Sequence, residues 1–100
     1  MKVIADLTVV PIGVGVSLSR YVAVCEDILL LAGLKTTLHP NGTAIEGEWD
    51  AVMTAVKACH KKVHTMGAPR VFTTLKISTR VDRDQSLADK IESVAEKQQG

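Results

Sequence analysis

The sequence predicts an α+β domain in which one antiparallel sheet carries two long helices on one face. Three observations predict it. The chain opens on an apolar segment that alternates with period two, two later segments repeat their apolar residues at three and four, and short β-prone runs lie between and after them.

Val3, Ala5, Leu7 and Val9 alternate with Ile4, Asp6, Thr8 and Val10, so residues 2 to 10 form a strand with one wholly apolar face. Pro11 and Gly13 are expected to end it. Leu18, Tyr21, Val22, Cys25, Ile28, Leu29 and Ala32 then follow helical spacing over residues 18 to 32, behind Ser17 as N-cap, with Gly33 placed to terminate the helix in a left-handed conformation. Residues 35 to 39 and 43 to 47 are β-prone runs flanking Pro40-Asn41-Gly42. The Asn-Gly pair is expected to supply the positive φ angles of a tight hairpin. Trp49, Val52, Met53, Val56, His60, Val63 and Met66 predict a second helix over 49 to 66, stopped by Gly67 and Pro69. Val71, Thr73, Leu75 and Ile77 alternate in a last strand. Leu87, Ile91, Val94 and Ala95 form a third helical stripe, introduced by Asp82 as N-cap with Gln85 reaching back to it, and the tail from Glu96 is expected to fray.

The order strand, helix, strand, strand, helix, strand, then an extra helix is the split βαβ, or ferredoxin-like, plan. Residues 1 to 97 make one domain, with 98 to 100 a frayed tail. In this plan the helices cover one sheet face, and the other carries Ile4, Asp6, Thr8 and Val10 beside Phe72, Thr74 and Lys76. That mixture is too apolar for open water and too polar for a core, so a ligand or a second sheet should cover it.

Composition narrows the function. A chain of 100 residues buries about 60 to 70% of its unfolded surface, a thin margin that association would widen. Aromatic residues make up only 3% of the chain, which leaves no stacking platform for single-stranded nucleic acid. Twelve basic against eleven acidic residues give a net charge of +1, no field for a polyanion or an anionic membrane surface. Asp6 falls where a signal peptide would need an apolar run, and no segment reaches transmembrane length, so a cytoplasmic setting is expected. Cys25 and Cys59 sit on apolar helix faces, where free thiols act as small hydrophobes, and no disulfide is expected. His60 and His64 stand four apart on a helix, a spacing that can bring two imidazoles to one ion, yet no third ligand matches it. Packing and a solvated basic face account for them, and no metal or other cofactor is expected.

Catalytic patterns are missing. Gly13-Val14-Gly15 lacks the later glycine of a dinucleotide loop and the lysine of a P-loop. No serine stands in a nucleophile elbow, no Cys and His share a readable triad, and residues 11 to 16 hold no arginine for acylphosphatase-like chemistry. The chain reads as a non-enzyme.

Pro11-Ile12-Gly13 with Ser17 and Ser19, Gly42-Thr43 with Ile45-Glu46-Gly47, and Arg70 through Arg80-Val81-Asp82 together resemble the small thiamine-binding protein family over residues 2 to 97. Val14-Gly15-Val16 departs from that pattern, being shorter and more apolar than a hydroxyl-bearing loop. The resemblance implies a domain that assembles as dimers or tetramers through its sheets and binds thiamine or its hydroxymethylpyrimidine portion without transforming it. An aminopyrimidine needs an acceptor for its amino group, hydroxyls for its ring nitrogens and apolar walls for its faces. Glu46 is the first candidate acceptor, and its charge suits a thiazolium. Its competing role is an exposed strand carboxylate balancing Lys35 or Lys76. Asp6 is a second candidate, or else a partner of Lys76 across the sheet. Ser17 and Ser19 open a helix whose N–H groups could receive a polar ring, or simply cap it. Thr43, Thr8 and Thr74 offer hydroxyls, or serve as turn and strand formers. His39 is a turn residue or a pocket donor. The competing class of function is an interaction module that oligomerises through its sheet face without this ligand.

Overall fold

The computed structural model describes residues 1–83 and 86–99. Along the chain run β1 (Lys2–Ile12), α1 (Ser19–Leu31), β2 (Lys35–His39), β3 (Gly42–Glu48), α2 (Trp49–Thr65), β4 (Arg70–Ser78) and α3 (Leu87–Gln99). All strand pairs are antiparallel, in the order β2-β3-β1-β4. The ferredoxin-like βαββαβ plan with an added C-terminal helix is therefore the fold.

β1 is central, and its alternation decides both faces. Val3, Ala5 and Leu7 are buried beneath α1 and α2 with Ile45 of β3. On the second face the register sets Asp6 opposite Lys76, Thr8 opposite Thr74 and Val10 opposite Phe72. α3 stands over part of that face, where Leu87 and Ile91 line a recess with Ile4, Asp6 and Ala44. Its apolar stripe remains largely uncovered, since Ile91 is 70% and Val94 58% exposed. The helix continues through Gln99, past the Ala95 at which the stripe was expected to stop.

β1 also runs two residues beyond its predicted end, because β4 pairs with it as far as Ile12. Pro11 lies inside the strand without breaking a ladder. The Trp49 N–H donates to the Met1 carbonyl at 2.8 Å, and the Ser78 hydroxyl donates to the Ile4 carbonyl at 3.4 Å. Backbone groups of odd residues thus face β3 and those of even residues face β4. β3 opposes β1 only up to Leu7, so the N–H that Pro11 lacks would have met no partner.

Helical spacing places Tyr21, Cys25 and Leu29 of α1 and Val52, Ala55, Val56, Cys59 and Val63 of α2 in the core. The α2 stripe is rotated from its predicted centre: Trp49 and Met53 are each 40% exposed, and the small residues Ala55 and Cys59 fill the seam instead. Small residues let the two helices approach closely enough for the Cys59 thiol to donate to the Cys25 carbonyl at 3.6 Å. Its side-chain hydrogen bond with Cys25, with burial added, pushes the Cys59 thiol pKa up. Both thiols are free, as read from the sequence.

Three local predictions are corrected. α1 takes Leu18 as N-cap without a side-chain bond, the Tyr21 and Val22 N–H groups donating to the Leu18 carbonyl at 3.0 and 3.1 Å, so the exposed Ser17 does not cap it. The β2–β3 turn consists of Pro40 and Asn41, neither with positive φ, since no described non-glycine residue has one. Proline in the lead and Gly42 after the pair is the residue order of a type I turn. α3 is introduced by Ser86, whose hydroxyl accepts from the Asp89 N–H at 3.1 Å while the Ser86 N–H donates back to the Asp89 carboxylate at 3.0 Å. Asp82 instead holds Arg80 through two bonds of 2.8 and 2.6 Å, and Gln85 lies outside the described residues.

The end of α1 follows its prediction. Gly33 has φ of 78°, its N–H donates to the Leu30 carbonyl, and the Leu34 N–H donates to that of Leu29. The buried Leu34 packs back onto the core beside the fully buried Leu29, closing the helix with an apolar contact. A Cβ at Gly33 would touch nothing, so Gly33→Ala costs only the left-handed backbone penalty, about 1 to 2 kcal/mol. Urea unfolding should show a lower midpoint at unchanged slope; an unchanged midpoint would remove the capping role.

Candidate functional site

The unequal lengths of β3 and β4 open a cleft. β1 is paired on both sides up to Leu7 and on the β4 side alone beyond it. The notch beside Thr8, Val9 and Val10 is bounded by the hairpin turn and by α1, and encloses about 380 Å³. That volume suits a small organic ligand.

Its polar groups converge from three elements. Val9 is odd, so its N–H and C=O both point into the notch, where no strand takes them. This is a donor and an acceptor side by side on rigid backbone. Glu26, on α1, accepts from the Thr43 hydroxyl of β3 through one carboxylate oxygen, which holds the carboxylate at the wall of the notch and leaves its second oxygen available. Leu18, Val22 and Leu38 supply apolar wall, with Cys25 and Leu29 behind them. Among the described residues Glu26 is the only carboxylate lining this cleft and no Lys or Arg lines it, so the lining favours a cation.

The turn is fastened from beneath. Thr8 donates to the Asn41 carbonyl at 3.2 Å. The Asn41 N–H donates to His39 Nδ1 at 3.3 Å, which leaves Nε2 to carry the proton and donate to the Asp6 carboxylate at 2.6 Å. A carboxylate on the central strand thereby positions the turn through the imidazole.

The structure brings some sequence-predicted residues to this cleft and sends others elsewhere. Thr8 and Thr43 line it, and Asp6 acts on it through His39, its expected pairing with Lys76 giving way to the imidazole. Thr74 is exposed on the second sheet face opposite Thr8. Ser17 and Ser19 are exposed at the start of α1 and do not line the cleft. Glu46 lies at the other end of β3, opposite Ile4, and is 6% rather than freely exposed. Lys2 stands 3.3 Å from one of its oxygens and Lys35 3.8 Å from the other. The Lys2 contact is an ion pair without hydrogen-bond geometry, since that oxygen, Oε1, is buried with no hydrogen-bond partner. Glu46 is thus engaged with Lys35, as one reading anticipated, but from a buried position. Glu26 was missed. Its only sequence signal is the Val22 and Glu26 pair, each one residue past a member of the Tyr21, Cys25 and Leu29 stripe, which places a carboxylate on the apolar flank of the helix.

His60 Nδ1 is 2.6 Å from the Thr73 hydroxyl, and His64 Nδ1 donates to the Ala68 carbonyl at 2.9 Å. Their rings meet edge to face, and among the described residues no three His, Cys, Asp or Glu side chains gather as a metal site.

A family model described as thiamine-binding protein matches residues 5–95. The chain belongs to that family. A UPF0045 protein of Synechocystis sp. is 55% identical over 94 residues, covering 94% of this chain and 78% of its own. A UPF0045 protein of Methanothermobacter thermautotrophicus is 46% identical over 95 residues, covering 93% and 96%. Among solved structures, a Methanocaldococcus jannaschii protein superposes with a TM-score of 0.90 at 32% identity over 95% of this chain and 97% of its own. A Thermotoga maritima protein carrying a provisional thiamine biosynthesis/salvage designation shares the fold, with a TM-score of 0.80 at 22% identity over 94% and 99%.

In this thiamine-binding family member the hairpin must approach β1 closely for the cleft to form. A Cβ at Gly42 would lie 2.9 Å from the Leu7 carbonyl oxygen and 3.1 Å from the Thr8 hydroxyl. Because the first neighbour is backbone, Gly42→Ala should push the turn off β1 and destabilise the fold by about 1 to 3 kcal/mol. A denaturant midpoint equal to that of the wild type would mean that the turn does not rest on β1.

Proposed function

We propose that the protein binds thiamine, or its hydroxymethylpyrimidine portion, in the cleft beside Val9 without transforming it. The observation that carries this reading is the unpaired Val9 backbone next to Glu26. An aminopyrimidine presents a ring-nitrogen acceptor beside an amino donor, the complement of one residue's N–H and C=O. The ring then adds to the edge of β1 much as a strand would. Leu18, Val22 and Leu38 supply apolar surface for its faces. The Glu26 carboxylate neutralises the thiazolium, or accepts from the amino group where that ring is absent. With the Thr43 hydroxyl holding Glu26 and His39 tied to Asp6 and to the turn, these groups serve to shape the cleft, and the reading is capture and release: buffering, delivery or sensing of the vitamin.

The same reading makes the protein a cytoplasmic homo-oligomer. Its support is the uncovered apolar surface of α3 and the half-exposed Phe72 on the second sheet face. No described helix is long and apolar enough to cross a membrane.

Calorimetric titration with thiamine and, separately, hydroxymethylpyrimidine tests the proposal. Saturable binding at about one ligand per subunit or per two subunits is expected, with a matching rise in melting temperature. Glu26→Gln should weaken thiamine by about tenfold, roughly 1.4 kcal/mol, while Glu46→Gln leaves affinity within about twofold. The reverse ranking of the two variants would move the site to the other end of β3. Silence from both compounds would contradict the reading and favour an interaction module without this ligand.

A further inference from the structure

We infer that the protein carries a second ligand site, for a phosphate group, at the opposite end of β1. Where β1 begins and β4 ends, a cleft of about 270 Å³ lies between the sheet and the start of α3. Among the described residues its polar lining is Lys2, Ser78, Thr79, Arg80, Arg83 and Lys90, four cations and two hydroxyls with no carboxylate beside them. In a chain of net charge +1, four positive side chains from three parts of the fold meeting in one concavity is a local excess that favours an anion.

Among the described residues the nearby acids Glu46, Asp89 and Asp82 are already engaged. Glu46 is shared between Lys2 and Lys35, and Asp89 is bound to the Ser86 N–H as the cap of α3. Asp82 grips Arg80 through both its oxygens. That pair is solvent-exposed, and exposed ion pairs contribute little, so a phosphate can share or take the guanidinium at small cost. Lys90 Nζ has only a long contact of 3.5 Å with the Ser78 hydroxyl, and among the described residues no carboxylate lies within ion-pair distance of it. Planar guanidinium forks, mobile ammonium groups and small hydroxyls are the donor set that phosphate oxygens select. No aromatic side chain lines the cleft, so a nucleobase would find nothing to stack on. The ligand class is therefore inorganic phosphate or diphosphate, or the phosphate of a small organic molecule. The two clefts centre near Val3 and Val9, six residues apart on one strand, about 20 Å. Occupancy of one does not require the other.

Titration with inorganic diphosphate at low ionic strength, read by calorimetry and by amide chemical shifts, tests the site. Saturable binding is expected, with shifts at Ser78, Thr79, Arg80 and Lys90, none at Val9 or Thr43, and weakening as salt rises. Arg80→Gln and Lys90→Gln, both exposed substitutions with circular dichroism as a folding check, should each weaken diphosphate by about tenfold. Glycerol 3-phosphate distinguishes the sources: tighter diphosphate assigns the site to inorganic anions, and tighter glycerol 3-phosphate assigns it to phosphorylated organic molecules. The inference is overturned by absence of saturation at low salt, by unchanged affinity in both folded variants, or by shifts confined to the Val9 cleft.

Discussion

β3 stops opposing β1 at Leu7 while β4 accompanies it to Ile12, and this difference in strand length organises the rest of the molecule. A two-residue turn led by Pro40 reverses the chain level with Leu7, which fixes where the pairing ends. Beyond that level one edge of the central strand has no ladder. Pro11 is accommodated there without loss, and the Val9 backbone is left with a donor and an acceptor to offer. α1 closes the notch from the side, held by the Thr43 hydroxyl on Glu26. An uncovered strand edge is usually a hazard for self-association; here the turn and the helix restrict it to something the size of a small ring.

The two carboxylates on either side of β3 show how environment divides residues of the same type. Glu46 is on the second sheet face, buried and flanked by two lysines, where its charge is answered within the chain. Removing one partner from a buried charge is costlier than the pair is worth, so the two lysines tie Glu46 to the stability of this end of the sheet. Glu26 is half-buried at the rim of an apolar notch with one oxygen committed to a hydroxyl and no cation near enough to pair with it among the described residues. A positively charged ligand is the natural complement of that position. Asp6 takes a third role, as the anchor of His39 and through it of the turn.

Much of the architecture was legible in the sequence. Alternation in β1 and β4, the three and four spacing of α1 and α2, and Gly33 at the end of α1 are each imposed by a local rule that tertiary structure had no reason to override. Errors arose where a local rule had two outcomes. Asn41-Gly42 satisfies either a turn with positive φ or, after Pro40, one without, and only the position of β1 decides. Pro11 ends a strand that is paired on both sides and is harmless in one paired on a single side. Ser17 and Asp82 have capping side chains, yet Leu18 and Ser86 occupy the capping positions, and a shift of one residue or a few is beyond what periodicity resolves. At the cleft, Thr43 was singled out as a hydroxyl beside the turn and Thr8 as one on the open sheet face, and both line it. Val9 was not singled out, since a backbone group becomes a ligand donor only when the neighbouring strand stops short, and strand length is a property of the pairing.

The Val9 amide is the most direct reporter of the account. In a heteronuclear NMR titration of the isotopically labelled protein with thiamine, the Val9 N–H should move to the position of a hydrogen-bonded amide and exchange more slowly with solvent, with Thr43 and Glu26 shifting alongside it. A Val9 amide that stays unchanged at saturation, while residues near Glu46 or on the exposed face of β4 shift instead, would contradict the claim that the free edge of β1 receives the ligand.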